Sequence, residues 1–202
     1  GTNILSDNFP FSDCSAVKRL KRAGMILLGK TYTSQLAADI IGINHNQGTP
    51  HNPWVENEHI PGGSSSGSAV AVASGLAPMA LGSDTAGSVR TPASLCGTVG
   101  LKTTVGRISR NGVYPLCWSL DTVGLLTRSV EDAALIYDVL KGTDSGDVST
   151  LNVPDHSPKY SIKAGIKNLK ITFGETILFD DIDPEIEKTV RESGEVFHSL
   201  GA

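Results

Sequence analysis

The feature that most constrains this chain is a pair of glycine- and serine-rich loops, Pro61-Gly62-Gly63-Ser64-Ser65-Ser66-Gly67-Ser68 and Gly82-Ser83-Asp84-Thr85-Ala86-Gly87-Ser88-Val89-Arg90. Between them, Ser68 to Ser74 is rich in alanine and is followed by Gly75, which predicts a tightly packed helix rather than a strand. Ala77 to Leu81 then predicts a strand leading into the second loop. The arrangement sets Ser64 and Ser88 24 positions apart. It offers a candidate nucleophile, a candidate proton shuttle and a run of backbone N–H groups, the parts of an acyl-transfer site. A Gly/Ser run is often only a flexible linker. This one is not repetitive and abuts an apolar helix, which argues against that reading.

The remaining pattern alternates helices and strands, so the expected class is α/β, a sheet covered by helices. Asp13 is placed to cap a helix through Val17, Leu20 and Ala23, closed by Gly24. Met25-Ile26-Leu27-Leu28 predicts a buried strand, and a second helix is expected from Thr33-Ser34 through Leu36, Ala37 and Ile40. Residues 43–63 carry the turn residues of a loop. Further along, Val89 to Leu95 predicts a helix and Val99 to Leu101 a strand. Ser129 caps a helix from Val130 to Leu140 that ends at Gly142. After a polar loop, Leu169 to Phe173 predicts a strand, and Asp183-Pro184-Glu185 opens a last helix. The chain of 202 residues can bury one core and is expected as a single partial domain over 1–202. It starts at Gly1 and stops at Ala202 just after a helical pattern, so both ends are expected to be cuts in something longer.

Other chemistries are disfavoured. A net charge of −4 without a Lys/Arg cluster gives no footprint for nucleic acid or a membrane surface. Neither a membrane-spanning apolar run nor a signal-peptide pattern is present. Cys14, Cys96 and Cys117 lack a CxxC spacing, which favours reduced thiols and a cytoplasmic setting. Nothing beside Cys96 would activate a thiolate. The five histidines, His45, His51, His59, His156 and His198, show no metal-ligand spacing, so no metal and no cofactor are expected. Gly63-Ser64-Ser65-Ser66-Gly67 matches G-x-S-x-G, but that elbow needs a buried strand before it, and Glu56-Asn57-Glu58-His59-Ile60-Pro61 cannot supply one. Gly24-Met25-Ile26-Leu27-Leu28-Gly29-Lys30-Thr31 matches the phosphate-loop pattern. Its four intervening residues read as the strand itself, with N–H groups spent in a sheet instead of facing phosphate.

The two loops, in this order and spacing, resemble the amidase signature family, enzymes that cleave carboxamides with a Ser–Ser–Lys triad. The signature covers about residues 60–110. The resemblance implies a mixed sheet core covered by helices, incomplete in this chain. It implies Ser88 as nucleophile, Ser64 as proton relay behind a cis Gly63–Ser64 peptide bond, and Ser65 as a supporting hydroxyl. Thr85, Ala86, Gly87 and Ser88 would supply the oxyanion-hole N–H groups, with alanine at 86 where family members often have glycine. Asp84 and Arg90 would hold the loop's shape. Ser119-Leu120-Asp121-Thr122-Val123-Gly124 resembles the family's turn, in which Asp121 is structural; Leu125 stands where proline is usual. The triad lysine lies, in the family, before the segment that Gly1-Thr2-Asn3-Ile4-Leu5 resembles, so the chain alone is expected to be inactive. Lys30, Lys18, Lys21 and Lys102 do not match its place. The implied substrate is a small-molecule amide. The alternatives left open are the glutaminase subunit of a tRNA-dependent amidotransferase, with partner subunits, and a non-catalytic binding module of the same fold; a homo-oligomer is also left open.

Overall fold

The computed structural model describes residues 1–55 and 59–202. Glu56, Asn57 and Glu58, part of the run weighed against a nucleophile elbow, lie outside the described residues; His59, Ile60 and Pro61 are not strand. The chain divides into two compact units, Gly1–Ser157 and Pro158–Ala202.

The first unit is built on one central strand. Its elements are α1 (Ser15–Arg22), α2 (Ser66–Ala73), β1 (Met79–Asp84), α3 (Arg90–Cys96), β2 (Val99–Leu101), β3 (Thr122–Thr127) and α4 (Val130–Leu140). The sheet order is β1-β3-β2, with both outer strands antiparallel to β3 and both Leu81 and Leu101 in register with Leu125. Successive residues of a strand face opposite sides, and Leu125 and Leu126 are both fully buried, so β3 serves two cores. Leu125 joins Ala16, Ile108, Val123, Ala133, Tyr137 and Leu140 on the side of α1 and α4. Leu126 joins Ala69, Val72, Val89, Ala93 and Cys96 under α2 and α3, the two helices that leave the serine loops. Burying each leucine stabilises the unit by about 1.5–3 kcal/mol, and the second core thereby fixes where both loops start.

Local signals explain most helix ends. The Ser129 hydroxyl accepts the Asp132 N–H at 3.1 Å, satisfying one orphan donor at the start of α4. Cys14, not Asp13, occupies the cap position of α1; the Asp13 carboxylate instead receives Lys21 Nζ at 2.7 Å. Arg19 of α1 closes the far end of α4 by donating to the carbonyls of Leu140, Lys141, Gly142 and Thr143, where the helix leaves acceptors unpaired.

Three expected elements differ. Met25–Leu28 pairs with no strand among the described residues, and Ile26, Leu27 and Leu28 are exposed. An apolar run states a demand for burial but does not supply a partner strand. The helix expected from residue 33 is reduced to a single 3-10 turn, Gln35–Ala37, with Leu36 at φ 53° and Ala37 at φ 56°. The backbone there is diverted to the first serine loop: Ser34 N–H donates to Ser64 O at 3.1 Å, and Ile40 O accepts Gly63 N–H at 2.7 Å. In the second unit Leu169–Phe173 forms no strand. The regular element there is α5 (Pro184–Ser199), whose Asp183 cap accepts the Glu185 N–H at 2.8 Å. Among the described residues, no helix is long and apolar enough to cross a membrane.

Candidate active site

The two serine loops meet at the backbone. Ser65 N–H, at the start of α2, donates to Ser88 O at 3.1 Å, just before α3. Ser64, Ser65 and Ser88 are all buried. The Gly63–Ser64 peptide bond is cis, as the resemblance implied. Gly63 admits no side chain: a Cβ there would lie 2.6 Å from Ser34 Oγ and 2.7 Å from Gly42 N. Ser34 Oγ is itself buried without a hydrogen-bond partner among the described residues. The Ser65 hydroxyl bonds the Ser83 main chain, donating to its carbonyl at 3.3 Å and accepting its N–H at 3.2 Å. It therefore ties the first loop to β1 and not to the Ser64 or Ser88 side chains.

Asp84 organises the second loop. Its carboxylate is wholly buried and accepts Gly87 N–H at 2.8 Å, Val89 N–H at 3.1 Å and Arg90 N–H at 3.3 Å. The Arg90 guanidinium adds bonds at 3.1 and 3.0 Å. Burial works to raise the Asp84 carboxyl, but the Arg90 side chain and the N–H groups of Val89 and Gly87 outweigh it and hold it below its usual range. Gly87 adopts φ 133°, a region that disfavours a side chain, so the turn that aims its N–H at Asp84 suits glycine. This alters the expected set of oxyanion donors. The Gly87 N–H is committed to Asp84, whereas those of Thr85, Ala86 and Ser88 donate to no protein acceptor among the described residues.

A contact across 36 residues leaves no mark in the sequence pattern. Thr85 Oγ1 donates to Asp121 Oδ1 at 2.5 Å. The same carboxylate accepts the N–H groups of Leu116 (2.9 Å) and Cys117 (3.0 Å). Asp121 thus stands between the second serine loop and residues 116–120, a structural part like the one the resemblance implied. Cys96 is buried, and burial pushes its thiol up to about 11, away from thiolate chemistry. Among the described residues, no group of three or more His, Cys, Asp or Glu is placed to hold a metal ion.

The lysines carry different contacts. Lys21 pairs with Asp13, Lys102 Nζ donates to the neighbouring Thr103 O at 3.0 Å, and Lys18 and Lys30 are exposed. The phosphate-loop match around Lys30 lacks its architecture: α1 precedes Gly24, and no helix begins at Thr31. Lys30→Met in the full-length protein should leave amide turnover within about two-fold of wild type, the scale of a surface substitution away from the chemistry. Steady-state kinetics would detect a loss of several orders of magnitude, which a base or phosphate ligand at this position would produce.

The comparisons with known proteins agree with this geometry. The family model described as Amidase matches residues 1–202. The glutamyl-tRNA(Gln) amidotransferase A-subunit of Geobacter metallireducens is 42% identical over 201 residues, which cover 100% of this chain and 41% of that protein. The solved structure of the corresponding A-subunit from Thermotoga maritima superposes with a TM-score of 0.92 at 37% identity, covering 100% of this chain and 44% of that one. Native peptide amidase from Stenotrophomonas maltophilia superposes at 0.80 with 37% identity, over 95% of this chain and 40% of its own. The chain therefore spans about two fifths of the length of these relatives. Paired serine loops joined at Ser65 and Ser88, a buried Asp84 beneath the second, and a family match along the entire sequence lead to one assignment: the chain belongs to the amidase signature family.

Proposed function

We propose that the full-length protein cleaves the C–N bond of a carboxamide through an acyl-enzyme on Ser88. The observation that carries this reading is the Ser65–Ser88 backbone bond, which brings the Ser64 and Ser88 loops together. Serine is a weak nucleophile at its own pKa and needs an adjacent base. Ser88 Oγ attacks the carbonyl carbon while its proton passes to Ser64 Oγ, and Ser64 hands its own proton to a lysine amine that the amidase pattern places before Gly1. The N–H groups of Thr85, Ala86 and Ser88 receive the developing oxyanion, with the turn pre-set by Asp84. The C–N bond then breaks as the leaving nitrogen takes a proton back through Ser64. Water repeats the sequence on the ester and frees Ser88. This is triad logic with a neutral amine as the base. The setting proposed is the cytoplasm, with no nucleic-acid contact by these residues and no cofactor.

A second reading is the glutaminase subunit of a tRNA-dependent amidotransferase, which passes ammonia to a partner protein. It is favoured by relatives of that name at 40–42% identity. Both readings use Ser88 in the same way. A fluorophosphonate probe on the full-length protein, followed by peptide mass spectrometry, tests what they share. The expected result is a single adduct on Ser88. An unlabelled, folded protein would instead be a non-catalytic module, and an adduct on Ser65 would refute the residue assignment.

A further inference from the structure

Residues 114–120 form a loop whose side chains the mechanism does not use. Tyr114, Leu116, Trp118 and Leu120 are exposed, at 68%, 47%, 51% and 52%. Single exposed apolar residues need no explanation, but four within seven positions form a cluster. No charged residue lies between Val113 and Leu120.

The loop is held in place by polar groups instead of by its own apolar side chains. Asp121 binds the Leu116 and Cys117 N–H groups, and Cys117 O accepts the N–H groups of Leu120 and Asp121, both at 2.9 Å. The Arg110 guanidinium donates to Trp118 O and lies 4.0 Å from the centre of the Trp118 ring. Arg110 is in turn fixed by a buried ion pair with Asp147, Nε to Oδ2 at 3.3 Å. Burial works to raise the Asp147 carboxyl, but hydrogen bonds from Arg110 and Ser149 outweigh it and hold it at about 2, so the pair stays charged. A side chain on such a frame is pre-organised, and pre-organised apolar surface costs little to use in binding. The frame connects to the candidate site in one step, because the Asp121 carboxylate that holds Leu116 and Cys117 also holds Thr85.

We propose that Leu116 and Trp118 form an apolar wall of the acyl subsite, so that the enzyme selects carboxamides with an aryl or branched-alkyl group on the carbonyl carbon. This rests on the reading of Ser88 as nucleophile. Ligand sites combine apolar and aromatic lining with a few fixed polar groups, and this loop and the turn at 85–88 supply the two parts. A substrate with charged groups next to its side-chain amide, such as glutamine, finds no charged partner on the loop.

The test uses full-length wild type, Trp118→Ala and Leu116→Ala with three primary amides, whose only variable substituent is on the carbonyl carbon: acetamide, phenylacetamide and glutamine. Leu116→Ala keeps the N–H that Asp121 holds, so it serves as the variant least able to disturb the frame. Wild type should prefer phenylacetamide. Each variant should lose about ten-fold or more in kcat/KM for phenylacetamide, mainly through KM, with acetamide within about two-fold. Equal losses on all amides, as expected if the side chains only cover neighbouring structure, would overturn the proposal. So would unchanged phenylacetamide kinetics, or a wild-type preference for glutamine. A fluorophosphonate adduct on Ser88 in each protein separates the two claims. With the adduct and no change in selectivity, only the wall is refuted; without it in wild type, the reading of Ser88 fails and the wall falls with it.

Discussion

Ser88→Ala in the full-length protein should abolish acyl-enzyme formation and lower amide turnover by a factor on the order of 10⁴ or more, while the protein stays folded. The fold should survive because Ser88 is held through its carbonyl, which accepts Ser65 N–H, and alanine keeps that carbonyl. Ser64→Ala differs in kind. Its carbonyl still accepts Ser34 N–H, and the nucleophile remains, but the proton relay is lost. Turnover should fall by about 10²–10⁴, the usual contribution of a positioned proton-transfer group, and a fluorophosphonate adduct should still form slowly on Ser88. Rapid labelling and near-normal turnover in Ser64→Ala would remove Ser64 from the relay. Circular dichroism and melting temperature should place both variants close to wild type, so that lost activity is not lost fold.

What can be read in the sequence is what local chemistry determines. Ser129 and Asp183 announce α4 and α5 because a short polar side chain before an apolar or acidic run satisfies the first N–H groups of a helix. Alanines followed by Gly75 identify α2 in the same way. The elements that differ depend on partners distant in sequence. Met25–Leu28 has the composition of a buried strand, yet a strand exists only if another pairs with it. The central strand β3 reads in sequence as a turn around Asp121 and Gly124. Buried on both faces, it shows no alternation of apolar and polar residues to betray it. Nothing local announces Gln35–Ala37 as a tight turn, since the cause is the bonds of Ser34 and Ile40 to the first serine loop.

The candidate site divides along the same line. Residue types and spacing point to Ser64, Ser88, Asp84 and Arg90, and the structure gathers all four into the two joined loops. Spacing does not tell how the N–H groups of the second loop are shared. Thr85, Ala86, Gly87 and Ser88 look equivalent in sequence, but a carboxylate three residues before Gly87 captures that N–H and leaves the others. The Thr85–Asp121 bond is equally out of reach, because no periodicity links positions 36 apart.

The sharing of N–H groups makes Asp84 the residue on which the loop depends, and Asp84→Asn should show it. The carboxylate offers two acceptor oxygens to three N–H groups and a guanidinium. Asparagine has one acceptor and turns an NH₂ toward donors, leaving at least one buried N–H unpaired. That penalty and a lost charge-assisted bond each cost about 1–3 kcal/mol. Arg90 is 54% exposed and regains water, so its share is small. The variant should therefore lose roughly 3 kcal/mol of stability at neutral pH. It should also lose more activity than stability alone explains, because the turn carrying the Ser88 nucleophile loosens. The pH dependence gives an independent check. The folded-state pKa of Asp84 is below its unfolded value of 3.8, so its contribution is fully present above that value and is lost as pH falls through the folded pKa. The stability gap between wild type and Asp84→Asn should hold from pH 7 to about 5 and narrow only below about 4. Urea unfolding across that range would detect a gap that instead closes near neutrality, or never opens, and either result would mean that Asp84 does not hold the loop.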